Sequence, residues 1–145
     1  MANAAVPNPP IDTESSVPSP TDSRDVQLTV PARPGYLVLA RLALSAICRL
    51  TPLQTAEIAD LKLAVTEAAS RFMTDDPEDG QSLMLDFRLE DDRLELGLEG
   101  VPVDAPEEEQ ELSRAIVAAT VDHYEIDRGR TLLVKVLPKG VEYEG

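Results

Sequence analysis

Tryptophan is absent from this 145-residue chain and aromatic residues make up only 3% of it, so any core must be built from aliphatic side chains. The single cysteine, Cys48, excludes an intramolecular disulfide, and without a C-x-x-C pair or a Cys/His cluster there is no ligand set for structural zinc. No run approaches the roughly 18 apolar residues of a membrane span, and the N-terminus lacks the basic and apolar regions of a secretory signal. A chain with these absences is expected in the reducing cytoplasm. Cations are scarce as well: 13 Lys and Arg against 27 Asp and Glu leave a formal charge of −14. That acidity excludes the electrostatic footprint of a nucleic-acid binder and disfavours an anionic membrane surface.

What is present is ample apolar material, 43% of the residues, in a length that suits one domain. Residues 1–25 hold five of the twelve prolines among Ser, Thr and Asp, and such a segment cannot offset its ordering entropy, so it reads as a disordered tail. From Val26 to the end, residues 26–145, the pattern is that of a folded domain. Val26, Leu28 and Val30 alternate with polar neighbours as in a half-buried strand, which Pro31 stops. Tyr36, Leu39, Ala43, Ile47 and Leu50 then recur at helical spacing, with Arg41, Ser45 and Arg49 forming a polar seam; Cys48 reads as a small buried hydrophobe.

Thr51-Pro52-Leu53-Gln54 has the form of a capping box, which places the start of a second helix between Thr51 and Thr55 and its end near Thr74. Its buried stripe is Ile58, Leu61, Val65, Ala68 and Phe72, and Asp60, Glu67 and Arg71 lie opposite. Asp75 to Gly80 reads as a loop, and the alternations Leu83 to Leu89 and Leu94 to Leu98 read as an antiparallel hairpin. An acidic connection from Gly100 to Glu111 leads to a third helix with Leu112, Ile116 and Ala119 on one face. Two further strands follow, His123 to Asp127 and Thr131 to Leu137. The implied fold class is α+β: a two-layer sandwich in which three helices cover one face of a mostly antiparallel sheet. Charge is uneven along it, since residues 72–127 carry three basic groups against eighteen acidic ones.

The stretch VPARPGYLVLARLALSAICRLTPLQTAEIADLKLAVTEAA, residues 30–69, resembles the anti-sigma-factor serine kinases, bacterial switch proteins with a GHKL (HATPase-like) ATP-binding fold. The likeness is carried by V-P-A-x-P-x-Y, by R-L-x-L-S in the first helix and by D-L-K-L-A-V-x-E-A in the second. It implies the same sandwich fold, a homodimer paired through a sheet edge, and a sigma factor or a STAS-domain anti-sigma antagonist as partner. In that family the second helix carries an E-x-x-x-N box, a catalytic base with a Mg²⁺-holding amide. This chain has Glu67 at the first position and Arg71 at the second. An arginine has donors and no acceptor, so it cannot ligate a hard cation, and the pair reads instead as an i, i+4 surface ion pair.

The family's adenine-reading D-x-G-x-G loop is represented only by Glu99 and Gly100. The phosphate-binding G-x-G-L element is replaced by Glu107-Glu108-Glu109-Gln110-Glu111, without glycine. Carboxylates in a first helical turn suit the macrodipole and would repel a triphosphate, and the connection is short for an ATP lid. The expectation is therefore no ATP, no metal and no catalytic residue, with partner capture retained. The resemblance implies Arg41 as a partner anchor, with Ser45 and Arg49 beside it, against the alternative of a solvated helix face. The acidic middle region offers either a surface for a basic partner or a solvated face. His123 stands alone and reads as structural. The other functional reading keeps ATP and Mg²⁺ and makes the chain an active serine kinase, with Glu67 as base and Glu99 reading the adenine.

Overall fold

The computed structural model describes residues Arg24 to Pro138. The expected tail lies outside the described residues apart from Arg24 and Asp25, which belong to the first strand, as does the end of the expected domain beyond Pro138. In chain order the elements are β1 (Arg24–Pro31), a 3-10 turn (Pro34–Tyr36), α1 (Leu37–Cys48), α2 (Thr55–Ser70), β2 (Ser82–Leu89), β3 (Arg93–Glu99), α3 (Glu107–Thr120), β4 (His123–Ile126) and β5 (Arg130–Val136). The sheet order is β1-β2-β3-β5-β4 and every pairing is antiparallel.

Alternation in the strands translates directly into burial. Leu83, Leu85, Phe87 and Leu89 of β2 and Leu94, Leu96 and Leu98 of β3 are all buried, and Phe87 pairs with Leu96 as Leu85 does with Leu98. A leucine-rich layer of this kind gains about 25 cal/mol for each Å² of apolar surface taken from water. The helices cover that layer, with α2 packed between α1 and α3. The intermediate loop from Asp75 turns at Gly80, whose φ of +78° suits glycine. The three-helix, two-layer α+β sandwich expected from the pattern is the fold observed.

The helix faces differ from the sequence reading. In α1 the buried residues are Ala40, Leu44, Ile47 and Cys48, while Leu39 and Tyr36 are exposed and Leu50 lies beyond the helix end, 62% exposed. The helix is apolar nearly all round, so its periodicity does not determine which stripe is covered. Burial pushes the Cys48 thiol pKa up, with the Lys62 charge opposing the shift. In α3 the expected face is likewise rotated: Leu112 is 63% exposed, Ala119 is exposed, and Val117 is the fully buried residue.

The cap of α2 also moves. Thr51 remains outside the helix, its Oγ1 donating to the Cys48 carbonyl at 2.7 Å and accepting from the Leu53 amide at 3.2 Å. Gln54 is the N-cap instead, with its amide donating to Glu57 Oε1 at 2.9 Å. The helix ends at Ser70, four residues before the expected Thr74.

Candidate functional site

A cavity of about 610 Å³ lies between α2 and α3 and is lined also by the β3–α3 connection and the β4–β5 turn. Helix α2 contributes Glu67 and Ser70, and its C-cap is Arg71; the connection contributes Pro102 to Ala105. From α3 come Glu109, Gln110, Ser113 and Arg114 on the polar side, with Leu112 and Ile116 as apolar lining; the end of β4 adds Ile126, and the turn after it adds Asp127 and Arg128. Hydrogen bonds hold these pieces in place. The Val103 amide donates to the Arg71 carbonyl at 2.8 Å, tying the connection to the end of α2. Gln110 Nε2 donates to the Ala105 carbonyl at 2.8 Å, tying the other end of the connection to α3.

Three arginines therefore converge on one cavity in a strongly acidic chain. Arg71 is half-buried; Arg114 and Arg128 are exposed. The expected ion pair between Glu67 and Arg71 does not form. Among the described residues no carboxylate oxygen lies within 4.0 Å of the Arg71, Arg114 or Arg128 guanidinium. Burial, followed by the charge of Arg114, pushes the Arg71 pKa below the usual guanidinium range. Neither cause is a carboxylate, which agrees with the missing pair.

Cations on the sheet are placed quite differently. Arg93 meets Glu95 at 2.7 Å, Glu90 at 3.1 Å and Asp92 at 3.2 Å; Arg88 meets Asp25 at 3.4 Å and Arg130 meets Glu99 at 3.3 Å. Lys135 lies between Glu57 and Asp122. These exposed pairs contribute little stability; they match Arg88, Arg93 and Arg130, whereas the cavity arginines, like Arg24 on β1, have no carboxylate within 4.0 Å among the described residues.

The sequence-derived residues divide between separate places. Glu67 lines the cavity. Glu99 and Gly100 do not: Glu99 is exposed on the sheet and paired with Arg130, and a Cβ at Gly100 would lie 3.3 Å from Phe72 Cδ1 and from the Ser82 carbonyl oxygen. Gly100 is thus a close-packing glycine between β2 and the residue after Arg71. Of the carboxylates at the start of α3, Glu109 lines the cavity while Glu107 and Glu108 face elsewhere. Sequence reasoning did not bring Arg114 and Arg128 to this place. The available signal was slight: Arg114 is the one cation of an acidic helix.

Arg41, Ser45 and Arg49 belong to α1, away from the cavity. Arg41 and Ser45 are half-buried where α1 meets α2, and Arg41 Nη1 donates to Thr66 Oγ1 at 3.5 Å. Arg49 is exposed at the C-cap. Next to this seam, Val38, Leu39 and Leu42 of α1 are exposed, Leu42 to 60%, with Leu63 of α2 exposed as well. His123 begins the edge strand β4 and is exposed. Among the described residues no group of His, Cys, Asp and Glu could hold a metal ion, and no helix is long and apolar enough to cross a membrane.

No protein-family model matches the chain. Individual proteins do. Over 104 residues the chain is 32% identical to the serine-protein kinase RsbW of Bacillus pumilus (strain SAFR-032), a match that takes in 67% of this chain and 64% of the relative. It is 31% identical over 71 residues to the serine-protein kinase RsbW of Halalkalibacterium halodurans, covering 49% of this chain and 44% of that protein. The chain thus spans less than two thirds of the length of either relative, and what it shares with these kinases extends well beyond the forty residues in which the motifs are recognisable.

Proposed function

We propose that the chain is a bacterial regulatory protein that captures another protein, a sigma factor or a STAS-type antagonist, through the outer face of α1, and that it does so without ATP. The observation that carries this reading is the exposed apolar face of Val38, Leu39 and Leu42 beside Arg41, with Leu63 continuing it on α2. Large apolar side chains left together in water mark protein interaction surfaces. Support also comes from the likeness to the two RsbW kinases. Arg71 at the metal-holding position and a glycine-free start to α3 favour capture over catalysis. Pairing of two copies along β1, an edge strand of the sheet, belongs to the same reading.

Candidate sigma factors and STAS-domain proteins from the same bacterium, each co-expressed with the tagged chain, provide the test. Arg41→Glu is expected to weaken capture of the partner by about 2 kcal/mol, as charge reversals at hot spots do, with the thermal transition retained. Capture unchanged in both Arg41→Glu and Leu42→Glu would remove the α1 face from consideration. The kinase reading has one specific observation in its favour, the position of Glu67 on the cavity wall. Titration calorimetry with MgATP separates the two: submillimolar binding supports the kinase, and absence of binding supports capture alone.

A further inference from the structure

We propose that the chain covers its own α1 face: the residues preceding Arg24 lie along the outside of that helix, Ile11 against Val38, Leu39 and Leu42 and Val17 near Leu50, until a partner displaces them. The effect on capture rests on the reading of α1 given above; the placement of the segment does not.

Position comes first. Across the sheet Arg24 pairs with Leu89, Leu89 with Leu94 and Leu94 with Lys135, whose Nζ lies 3.9 Å from Glu57 Oε2 in the first turn of α2. Helix α1 ends at Cys48, shortly before α2 begins at Thr55, and Thr51 in between bonds back to the Cys48 carbonyl. The chain therefore enters β1 at the end of the sandwich where α1 finishes. Helix α1 is also the helix on that side, because it touches β2, next to the β1 edge, whereas α3 touches β4. The 12 residues of α1 are about 18 Å long, and the residues before Arg24 reach roughly 25–30 Å as a coil, so the whole helix is within range.

Charge and apolar spacing point to the same occupant. From Val26 to Ala56 the sequence holds Arg33, Arg41 and Arg49 and no acidic residue, in a chain whose formal charge is −14. The segment before Arg24 is the reverse, with Asp12, Glu14 and Asp22 and neither Lys nor Arg. Opposite charge of this kind favours the encounter and sets the orientation. In the extended form that its prolines favour, at about 3.1 Å per residue, Ile11 and Val17 stand about 19 Å apart, close to the length of α1. Leu42 is 60% exposed near one end of that span and Leu50 62% exposed just past the other. Asp12 and Glu14 then fall between the two contacts, on the side of Arg41 and Arg49. A segment too poor in apolar residues to build a core can still bury two of them on a surface that is already formed.

The test uses the full chain with a nitroxide attached at Ser16→Cys, the buried Cys48 staying unlabelled in the folded protein, and reads paramagnetic broadening of the backbone amides. Amides from Val38 to Arg49 are expected to broaden more than those of α3. The effect should fall at least twofold when Ile11→Asp and Val17→Asp are combined, a change outside the packed core, and likewise in Leu42→Glu, whose site is already mostly in water. Broadening that stops at β1, broadening equal on α1 and α3, or no decrease in either variant would overturn the proposal. So would broadening seen only between a nitroxide-bearing chain and a separate isotope-labelled chain, which would make a second copy the occupant. The variant with both aspartates should also capture its partner several-fold more tightly. Broadening without that gain counts against α1 as the capture surface, and capture without broadening removes the segment alone, so the two readings fail separately.

Discussion

The hairpin half of the molecule and its α3–β4 flank are built to different standards. Strands β2 and β3 bury every inward residue, from Leu83 through Leu98. In contrast, α3 buries Val117 alone in fourteen residues, and β4 leaves His123, Tyr124 and Glu125 exposed. Apolar area removed from water is the main favourable term in folding, so the two regions do not share stability equally. Segments with few buried apolar contacts open first, and functional elements are commonly drawn from that end of the range. The cavity lies at the junction, with one wall on α2, rich in buried side chains, and the other on α3, which has one.

The contrast is easiest to break at its strong end. Leu96→Ala, in the middle of β3, should cost about 2–5 kcal/mol, read from the shift of a urea transition, because a cavity opens where neighbours cannot collapse. A loss under about 1 kcal/mol would mean that the hairpin is not where stability resides. The next test sharpens the picture on α3. Val117→Ala should cost about 2 kcal/mol, and Leu112→Ala should stay within about 0.5 kcal/mol of the parent, since its side chain is already mostly in water. The reverse order would restore the helix face that the sequence indicates.

The smallest effect concerns Cys48. Its thiol pKa is raised in the fold by burial, so the unfolded chain releases the proton first as pH climbs. This contribution is fully present below the unfolded thiol value of about 8.5 and is lost progressively above it, toward the folded value. Urea midpoints measured from pH 7 upward should therefore fall less in Cys48→Ala than in the parent once pH exceeds that value. The native thiol should react with a thiol reagent only slowly, and at once in denaturant.

Strands were legible in the sequence because a period of two on a one-sided sheet admits one assignment: in β2 and β3 the alternating leucines are all inside. The helices were legible as elements and misread as faces. In α1, Arg41 and Ser45 are the only polar residues of twelve, so the polar seam exists but does not say which of the remaining sides meets the sheet. The packing partner decides, and it buries Ala40 and Leu44 while leaving Leu39 and Leu42 in water. The cavity was half legible. Glu67 and Arg71 are one turn apart and were visible as a pair, but their failure to bond is a matter of side-chain placement. Arg114 and Arg128 lie far along the chain, and only the packing of α3 on α2, with the neighbouring β4–β5 turn, brings them to Arg71.

The join between α2 and the residues after β3 fixes one wall of this cavity. Arg71 accepts from the Val103 amide through its own carbonyl, and the next residue, Phe72, lies so near Gly100 that a methyl group there would require it to give by a few tenths of an ångström. Both ends of that short stretch, residues 100–103, therefore lie against the end of α2. A side chain larger than hydrogen at position 100 would press on Phe72, the chain neighbour of Arg71 on the cavity wall.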